Sequence, residues 1–138
     1  MGNNPTDTGG RMIDNPKNIA ISLEYKDPET REMVKMEWRG ETPLYANNQV
    51  GTDCYPYEVV AIVSPTRIKI RRMDTEADRE NGHEYYGNQV YKYISQPEAE
   101  TKTLSRRKRG WAVVGDNGKY VSKYWLADYP RYYQDPHF

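Results

Sequence analysis

Apolar and polar residues alternate along short segments that end in turns, and this pattern constrains the fold more than any other feature. In NIAISLEYK (18–26), Ile19, Ile21 and Leu23 alternate with other residues; a DPET turn leads into REMVKMEW (31–38), which alternates again. A period of two places successive side chains on opposite faces of a β-strand. The two segments therefore predict a β-hairpin.

A second hairpin is predicted further along the chain. YPYEVVAIV (55–63) and RIKIRR (67–72) are joined by an SPT turn. Within RIKIRR the alternation predicts that Ile68 and Ile70 point inward, and that the outward positions are those of Arg67, Lys69 and Arg71.

Three more strand regions follow the same logic. KTLSRR (102–107), a KRG turn and WAVVG (111–115) predict a third hairpin, while NQVYKYIS (88–95) and KYVSKYWL (119–126) each predict a strand. Two segments are expected to be loops: RGETPLYANNQVGTD (39–53), and residues 73–90, which show little strand pattern. A structureless connection as long as the second is often functional.

Composition agrees with an all-β fold. Val and Ile together number 16, against 4 Leu and 1 Phe, and there are 13 Tyr and 3 Trp. Such residues suit a pleated, half-buried surface. About six to seven short strands predict a small SH3-like or Sm-like barrel, or a sandwich, with an added N-terminal β-hairpin. The length fits one domain at 17–138, preceded by a disordered or loosely ordered segment, 1–16, rich in Gly, Pro and Asn.

The C-terminal segment RYYQDPHF (131–138) predicts a docking tail. Chain ends usually carry small polar residues, whereas this one is aromatic and contains a turn. The Asp135-Pro136 turn is expected to fold His137 and Phe138 onto the barrel or onto a neighbouring subunit. Docking is favoured over ligand contact by His137. Exposed apolar tails and open strand edges tend to be buried in contacts with other chains, so a homo-oligomer is also expected.

The charges sum to zero but lie in blocks. TRIKIRR (66–72) carries four cations, DTEADRENGHE (74–84) five acids, and KTLSRRKRG (102–110) five cations. A general nucleic-acid binder normally has a basic excess, so nucleic acid is not an expected partner. The blocks are either local electrostatic fields or merely solvated faces and a solvated loop.

Catalytic and metal-binding patterns are lacking. The sequence contains none of the usual nucleophile, zinc-protease, nucleotide-loop or dinucleotide motifs, and its single cysteine, Cys54, has no nearby His or second Cys. We therefore expect no enzyme activity, no cofactor and no metal. Low hydropathy and the absence of a signal-peptide pattern favour a reducing cytoplasm, with no membrane partner.

Exposed tyrosines, amides and arginines form the remaining candidate site. They suit a small anionic ligand with flat rings, because Tyr and Trp stack on a base, Asn reads its edge and Arg holds phosphate. The candidate ligand-binding residues are Arg72, Tyr85, Tyr86, Asn88, Arg106, Arg109, Trp111 and Tyr132. The alternative is that 106–109 merely decorate a hairpin tip; for Tyr91 and Tyr93, filling one barrel face is the favoured interpretation.

Four stretches of the chain resemble a family of small phage-encoded β proteins. They are YEVVAIVSPTRIKIRRMD (57–74), NQVYKY (88–93), LSRRKRGWAV (104–113) and the terminal YYQDPHF (132–138), the most specific of the four. The resemblance leaves out the N-terminal hairpin, 17–40, and implies a phage origin. In size, class and surface chemistry the chain is similar to phage sponge proteins that sequester the cyclic nucleotide signals of Thoeris and CBASS defence.

The sequence thus favours a non-enzymatic phage anti-defence protein of the host bacterial cytoplasm. Its expected partner is a small nucleotide of the cyclic dinucleotide, cyclic trinucleotide or cyclic ADP-ribose type, bound by a homo-oligomer. One alternative is a protein-binding inhibitor of a host defence enzyme that uses the acidic segment 74–84 as a phosphate mimic. Another is an accessory or structural phage protein.

Overall fold

A computed structural model describes residues 13–108, 110–114 and 123–137. These residues form strands and one short 3-10 helix, Arg79–Asn81, with no α-helix among them. The strands are β1 (Ile21–Lys26), β2 (Met33–Trp38), β3 (Tyr45–Val50), β4 (Asp53–Ser64), β5 (Arg67–Arg72), β6 (Asp74–Ala77), β7 (Tyr91–Ile94), β8 (Thr101–Arg107), β9 (Gly110–Val113) and β10 (Lys123–Ala127). No helix in the described part of the chain is long and apolar enough to cross a membrane.

Six antiparallel strands close into a barrel in the order β10-β3-β4-β5-β8-β9. Ile68 and Ile70 of β5 are fully buried inside it, whereas Arg67 and Lys69 are exposed, as the alternation predicts. The prediction of a small all-β barrel with an added N-terminal hairpin is confirmed. Closure gives every barrel strand two neighbours, which removes open edges from this sheet.

The N-terminal hairpin lies against the outside of the barrel. β1 and β2 pair with Ile21 opposite Trp38 and Leu23 opposite Met36. Ile21, Leu23 and Trp38 are buried in the common hydrophobic core. This one apolar face explains why the hairpin is attached rather than extended into solvent.

An ion pair is buried on the outer side of the barrel wall. Glu58 of β4 lies opposite Arg71 of β5, and one Glu58 oxygen, Oε2, accepts from Arg71 Nη2 at 3.1 Å and from Nε at 3.3 Å. Ser95 donates to the same oxygen, and the Pro97 carbonyl accepts from Arg71 at 3.4 Å. The segment around 95–97 therefore covers a pair that alternation alone places in solvent.

Two segments predicted to be loops contain strands. β3 lies inside 39–53 and pairs with β4 on one side and β10 on the other, so the loop prediction there is wrong. β6 lies inside 73–90 and pairs with β7 in a two-stranded sheet outside the barrel. In both cases hydrogen bonding to neighbouring strands outweighs the low β-propensity of Asn, Asp and Glu.

The chain is already ordered on the barrel at residue 14. Asp14 forms a parallel bridge with Ala61: its N–H donates to the Val60 carbonyl at 3.0 Å, and its own carbonyl accepts from Ile62 at 2.8 Å. The last residues of the predicted loose segment, 13–16, thus lie beside β4. Residues 1–12 are outside the described part of the chain.

Candidate functional site

The structure separates the predicted ligand-binding residues into two groups at opposite ends of β5. Arg106 lies beside the start of this strand, where its N–H donates to the Thr66 carbonyl at 2.7 Å. Arg72 is the last residue of β5, about 20 Å away at about 3.3 Å per residue. The fold therefore places the two arginines at different ends of β5. Arg109 lies outside the described residues.

Arg72 is the centre of a group of rings and cations that we name the Arg72 cluster: Tyr55, Tyr57, Arg72, Lys102 and Tyr132. Its guanidinium carbon is 5.0 Å from the ring centre of Tyr55 and 5.7 Å from that of Tyr57. Lys102 Nζ lies 5.5 Å from the Tyr57 ring centre. Neither cation forms an ion pair with a described residue. The cluster thus combines positive charge with aromatic surface.

Asn48 brings an unsatisfied acceptor to the same end of the barrel. It lies opposite Tyr55 across the β3–β4 pairing, and the residue is 9% exposed. Its side-chain oxygen is buried and has no hydrogen-bond partner. A buried polar atom left this way costs about 1 to 3 kcal/mol, and most such atoms in folded proteins are satisfied. An N–H donor supplied by a ligand would satisfy it.

The C-terminal tail supplies Tyr132, one wall of the cluster. The Tyr132 ring centre is 5.9 Å from that of Tyr55 and 4.6 Å from that of Tyr91. Its N–H donates to the Tyr93 hydroxyl at 2.9 Å. Tyr91 and Tyr93 lie on β7, outside the barrel, so the interpretation that they fill a barrel face is wrong. They hold the tail in place.

Further polar contacts fix the tail to its own barrel. Gln89 Nε2 donates to the carbonyl of Gln134 at 2.6 Å, and its Oε1 accepts from the Gln134 N–H at 3.1 Å. Asp53 Oδ1 accepts from the N–H of Asp135 at 2.8 Å. The turn at 136–137 leaves His137 exposed, and Phe138 is outside the described residues. Tyr132 is thus held in place by its own backbone contact with Tyr93 and by the contacts of the residues that follow it in the tail.

The loop that carries Tyr85, Tyr86 and Asn88 borders the cluster. Burial raises the pKa of Tyr132, and nearby Tyr55 and Tyr85 act in the same direction while Arg72 opposes them. Tyr86 is 78% exposed and stands edge-on to Tyr85, with 5.1 Å between ring centres. The Asn88 carbonyl closes the loop by accepting from the Glu84 N–H at 3.0 Å. Tyr85 is therefore the member of this loop that acts on Tyr132.

Arg106 and Trp111 lie together in a concavity, which we name the hairpin groove. It has a volume of about 340 Å³ and lies between the β8–β9 tip and the N-terminal hairpin. The lining residues are Ser22, Glu24, Met33, Arg106, Arg107, Lys108, Gly110 and Trp111. Trp111 is only 7% exposed and belongs to the core, so it offers little of the ring surface expected for stacking. The groove is basic but weakly aromatic.

The acidic segment has one structural carboxylate among its five. Asp78 is buried and caps the 3-10 helix. Its carboxylate accepts from the backbone N–H of Asn81 at 3.2 Å and from the side-chain Nδ2 of Asn81 at 2.7 Å. The Asn81 side chain, by donating to it, lowers the pKa of Asp78. Glu80 lies 3.9 Å from Lys92. The exposed acids of the segment are Asp74, Glu76, Glu80 and Glu84.

Cys54 lies beneath the tail, where its N–H donates to the Tyr133 carbonyl at 2.8 Å and its carbonyl accepts from Tyr133 at 3.0 Å. Burial raises the pKa of its thiol to about 12. We expect iodoacetamide to leave this thiol unmodified at neutral pH, because the thiolate is the reactive form and the site is closed. Mass spectrometry should show full modification once urea unfolds the protein. Rapid labelling without urea would show that the tail is not docked.

The described residues contain no group of three or more His, Cys, Asp or Glu side chains that could hold a metal ion. Comparison of the chain with protein families, with curated proteins and with solved structures found no match. Function is therefore inferred from the chain's own geometry.

Proposed function

We propose that the protein binds and sequesters a small nucleotide signal at the Arg72 cluster, without chemical turnover. The observation that carries the proposal is the placement of Arg72 beside the partly exposed Tyr55 ring and of Lys102 beside the buried Tyr57 ring, near the unsatisfied oxygen of Asn48. Cations without an ion-pair partner, ring surface and a free acceptor are groups that suit the phosphate, the base and its amino group in a nucleotide.

Each part of a nucleotide has a matching group in the cluster. Phosphate oxygens suit the guanidinium of Arg72 and the ammonium of Lys102, since charge-assisted hydrogen bonds are the strong ones. A base can stack on the partly exposed rings of Tyr55 and Tyr132. An exocyclic amino group of the base can donate to Asn48 Oδ1. The ligand class is therefore an adenine, guanine or cytosine nucleotide, because these bases carry such an amino group.

The biological setting belongs to the same proposal. The resemblance of YYQDPHF and the three upstream stretches to small phage proteins supports a phage origin. A phage protein that captures a cyclic nucleotide would act in the cytoplasm of its bacterial host by lowering the concentration of a defence signal. We propose that it acts as a homo-oligomer.

Capture can be tested directly. Purified protein is screened by thermal shift against cyclic dinucleotides, cyclic trinucleotides and cyclic ADP-ribose isomers, since a ligand of the folded state raises the melting temperature. Protein loaded with a binder is then heated, and the released compound is identified by chromatography. Recovery of the intact nucleotide supports sequestration. A degraded product, or no binder in the panel, contradicts the proposal.

Replacing Lys102 with alanine should weaken nucleotide binding by about 1.5 to 3 kcal/mol, the scale of a hydrogen bond to a charged group. Folding should change little, because this lysine is exposed and its contact with the ring is weak at such sites. Calorimetric titration of the nucleotide that binds the parent measures the loss. Binding should also weaken with added salt.

Two matched variants locate the site. Arg79→Ala removes an exposed cation from the 3-10 helix, which contributes no residue to the cluster, and should leave the affinity unchanged. Arg106→Ala removes a cation from the hairpin groove. A loss with Arg106→Ala and none with Lys102→Ala would move the ligand to the groove and overturn the assignment to the Arg72 cluster.

The acidic segment supports a second candidate function, inhibition of a nucleic-acid-binding defence enzyme by phosphate mimicry. Its four exposed carboxylates, Asp74, Glu76, Glu80 and Glu84, lie along β6 and the following turn. Inhibition of such an enzyme that is lost when Glu76 and Glu80 are changed to glutamine, with no effect of Lys102→Ala, would favour this function over nucleotide capture.

A further inference from the structure

β2 is an open strand edge. It pairs with β1 on one side, and no described strand lies on its other side. β2 has six residues, whereas each strand of the β6–β7 sheet has four. Unpaired N–H and C=O groups along such an edge are a template for pairing with another strand.

One face of this edge strand is apolar and only partly covered. Met36, which lies opposite buried Leu23, is 42% exposed, and Met33 is 59% exposed. Val34 and Met36 share the barrel-facing side of the hairpin with Trp38, yet only Trp38 is fully covered. A partner strand placed beside β2 would continue this apolar face.

The sequence of β2 allows it to pair with a second copy of itself. A two-fold antiparallel pairing keeps the apolar side continuous only when its centre lies on a residue, such as Val34, Lys35 or Met36. A centre on Lys35 places two lysines opposite each other, which is destabilising. A centre on Val34 places Glu32 opposite Met36. Both arrangements conflict with the side chains present.

A centre on Met36 has neither conflict. It places Met36 opposite its copy and Val34 opposite Trp38 on the apolar side. On the outer side it places Lys35 opposite Glu37 at two symmetric positions, so the charges are complementary. Within one chain these two side chains already have exposed, weak pairings, Lys35 with Glu24 at 3.7 Å and Glu37 with Arg39, which a dimer can rearrange.

We propose that the protein forms a two-fold dimer in which the β2 strands of two copies pair antiparallel about Met36. The two N-terminal hairpins then make one four-stranded sheet, in the order β1-β2-β2-β1. This interface does not depend on nucleotide binding, since none of its residues belongs to the Arg72 cluster.

Light scattering coupled to gel filtration tests the dimer. The parent should elute with a mass of 32.4 kDa, twice the 16.2 kDa of the chain, at micromolar to millimolar concentrations. Lys35→Glu should raise the dimer dissociation constant by about tenfold or more, because two opposite-charge pairs become two like-charge pairs. Glu37→Lys should act in the same way. Both changes are on exposed side chains, and circular dichroism should show an unaltered fold.

The double variant Lys35→Glu/Glu37→Lys tests the register. It restores opposite-charge pairs in reversed order, so the dimer should return. Lys92→Glu, a charge reversal on β7, serves as the control and should leave the dimer intact. A monomeric parent would overturn the proposal. So would dissociation by Lys92→Glu, or failure of the double variant to restore the dimer.

Discussion

Replacing Arg71 with alanine is expected to lower the free energy of unfolding by about 3 to 5 kcal/mol, the usual cost of removing one partner of a buried ion pair. Glu58 is 3% exposed, and without Arg71 its carboxylate keeps the hydroxyl of Ser95 as its side-chain partner. An uncompensated buried charge is far more costly than the loss of a surface contact. Urea unfolding followed by tryptophan fluorescence measures the change.

Two further variants separate burial from charge. Arg67→Ala removes an exposed arginine from the same strand and should change stability by no more than about 0.5 kcal/mol. Glu58→Leu combined with Arg71→Met replaces the pair by apolar side chains and should recover most of the loss, because such replacements are often neutral. If Arg71→Ala proved as mild as Arg67→Ala, the pair would have to be solvated rather than covered by the segment around 95–97.

Replacing Asn47 with alanine is expected to cost about 2 to 4 kcal/mol and to loosen the tail. Asn47 is fully buried; its Nδ2 donates to the Tyr129 carbonyl at 3.1 Å, and its Oδ1 accepts from the Arg131 N–H at 2.8 Å. Alanine leaves both backbone groups without their partner, at about 1 to 3 kcal/mol each. Urea unfolding gives the stability, and the rate of Cys54 alkylation gives the opening of the tail.

Gln49→Ala is the matched control for Asn47→Ala. Gln49 lies on the same strand, but its amide makes an exposed contact with the Gly51 carbonyl at 3.0 Å. We expect this variant to change neither the unfolding transition nor the alkylation rate. Equal effects of the two variants would show that β3 as a whole, rather than the Asn47 amide, fixes the tail.

Strands in which apolar and polar residues alternate regularly could be predicted from the sequence. A strand whose buried residues are polar, such as β3, could not. RIKIRR identifies its buried side through two isoleucines. YANNQV of β3 has no such signal, because Asn47 and Asn48 are buried for reasons that lie elsewhere in the chain: one holds the tail, and the other faces Tyr55. Burial set by contacts between distant residues cannot be seen in a local pattern.

The candidate site could be predicted only in part, for the same reason. Arg72 follows Ile68 and Ile70 on the inward side of β5. The alternation within this strand therefore predicts a cation at the end of the barrel. Lys102 reaches the same place because β8 pairs with β5, with Lys102 opposite Ile70. The sequence shows which side chains share a strand face, but not which strands are neighbours. The sequence alone therefore predicts one site for Arg72 and Arg106, which the fold places at different ends of β5.

Barrel closure joins β3 to β10, which lie far apart in the chain, and this has a consequence for synthesis on the ribosome. Among the barrel strands, the growing chain makes β3 first and its closing partner β10 last, since β4, β5, β8 and β9 lie between them in the sequence. Until β10 emerges, β3 and β9 each lack a neighbour and present open edges to other nascent or newly released chains. The emergence of β10 from the ribosome is thus the step that converts an open sheet with exposed edges into a sealed one.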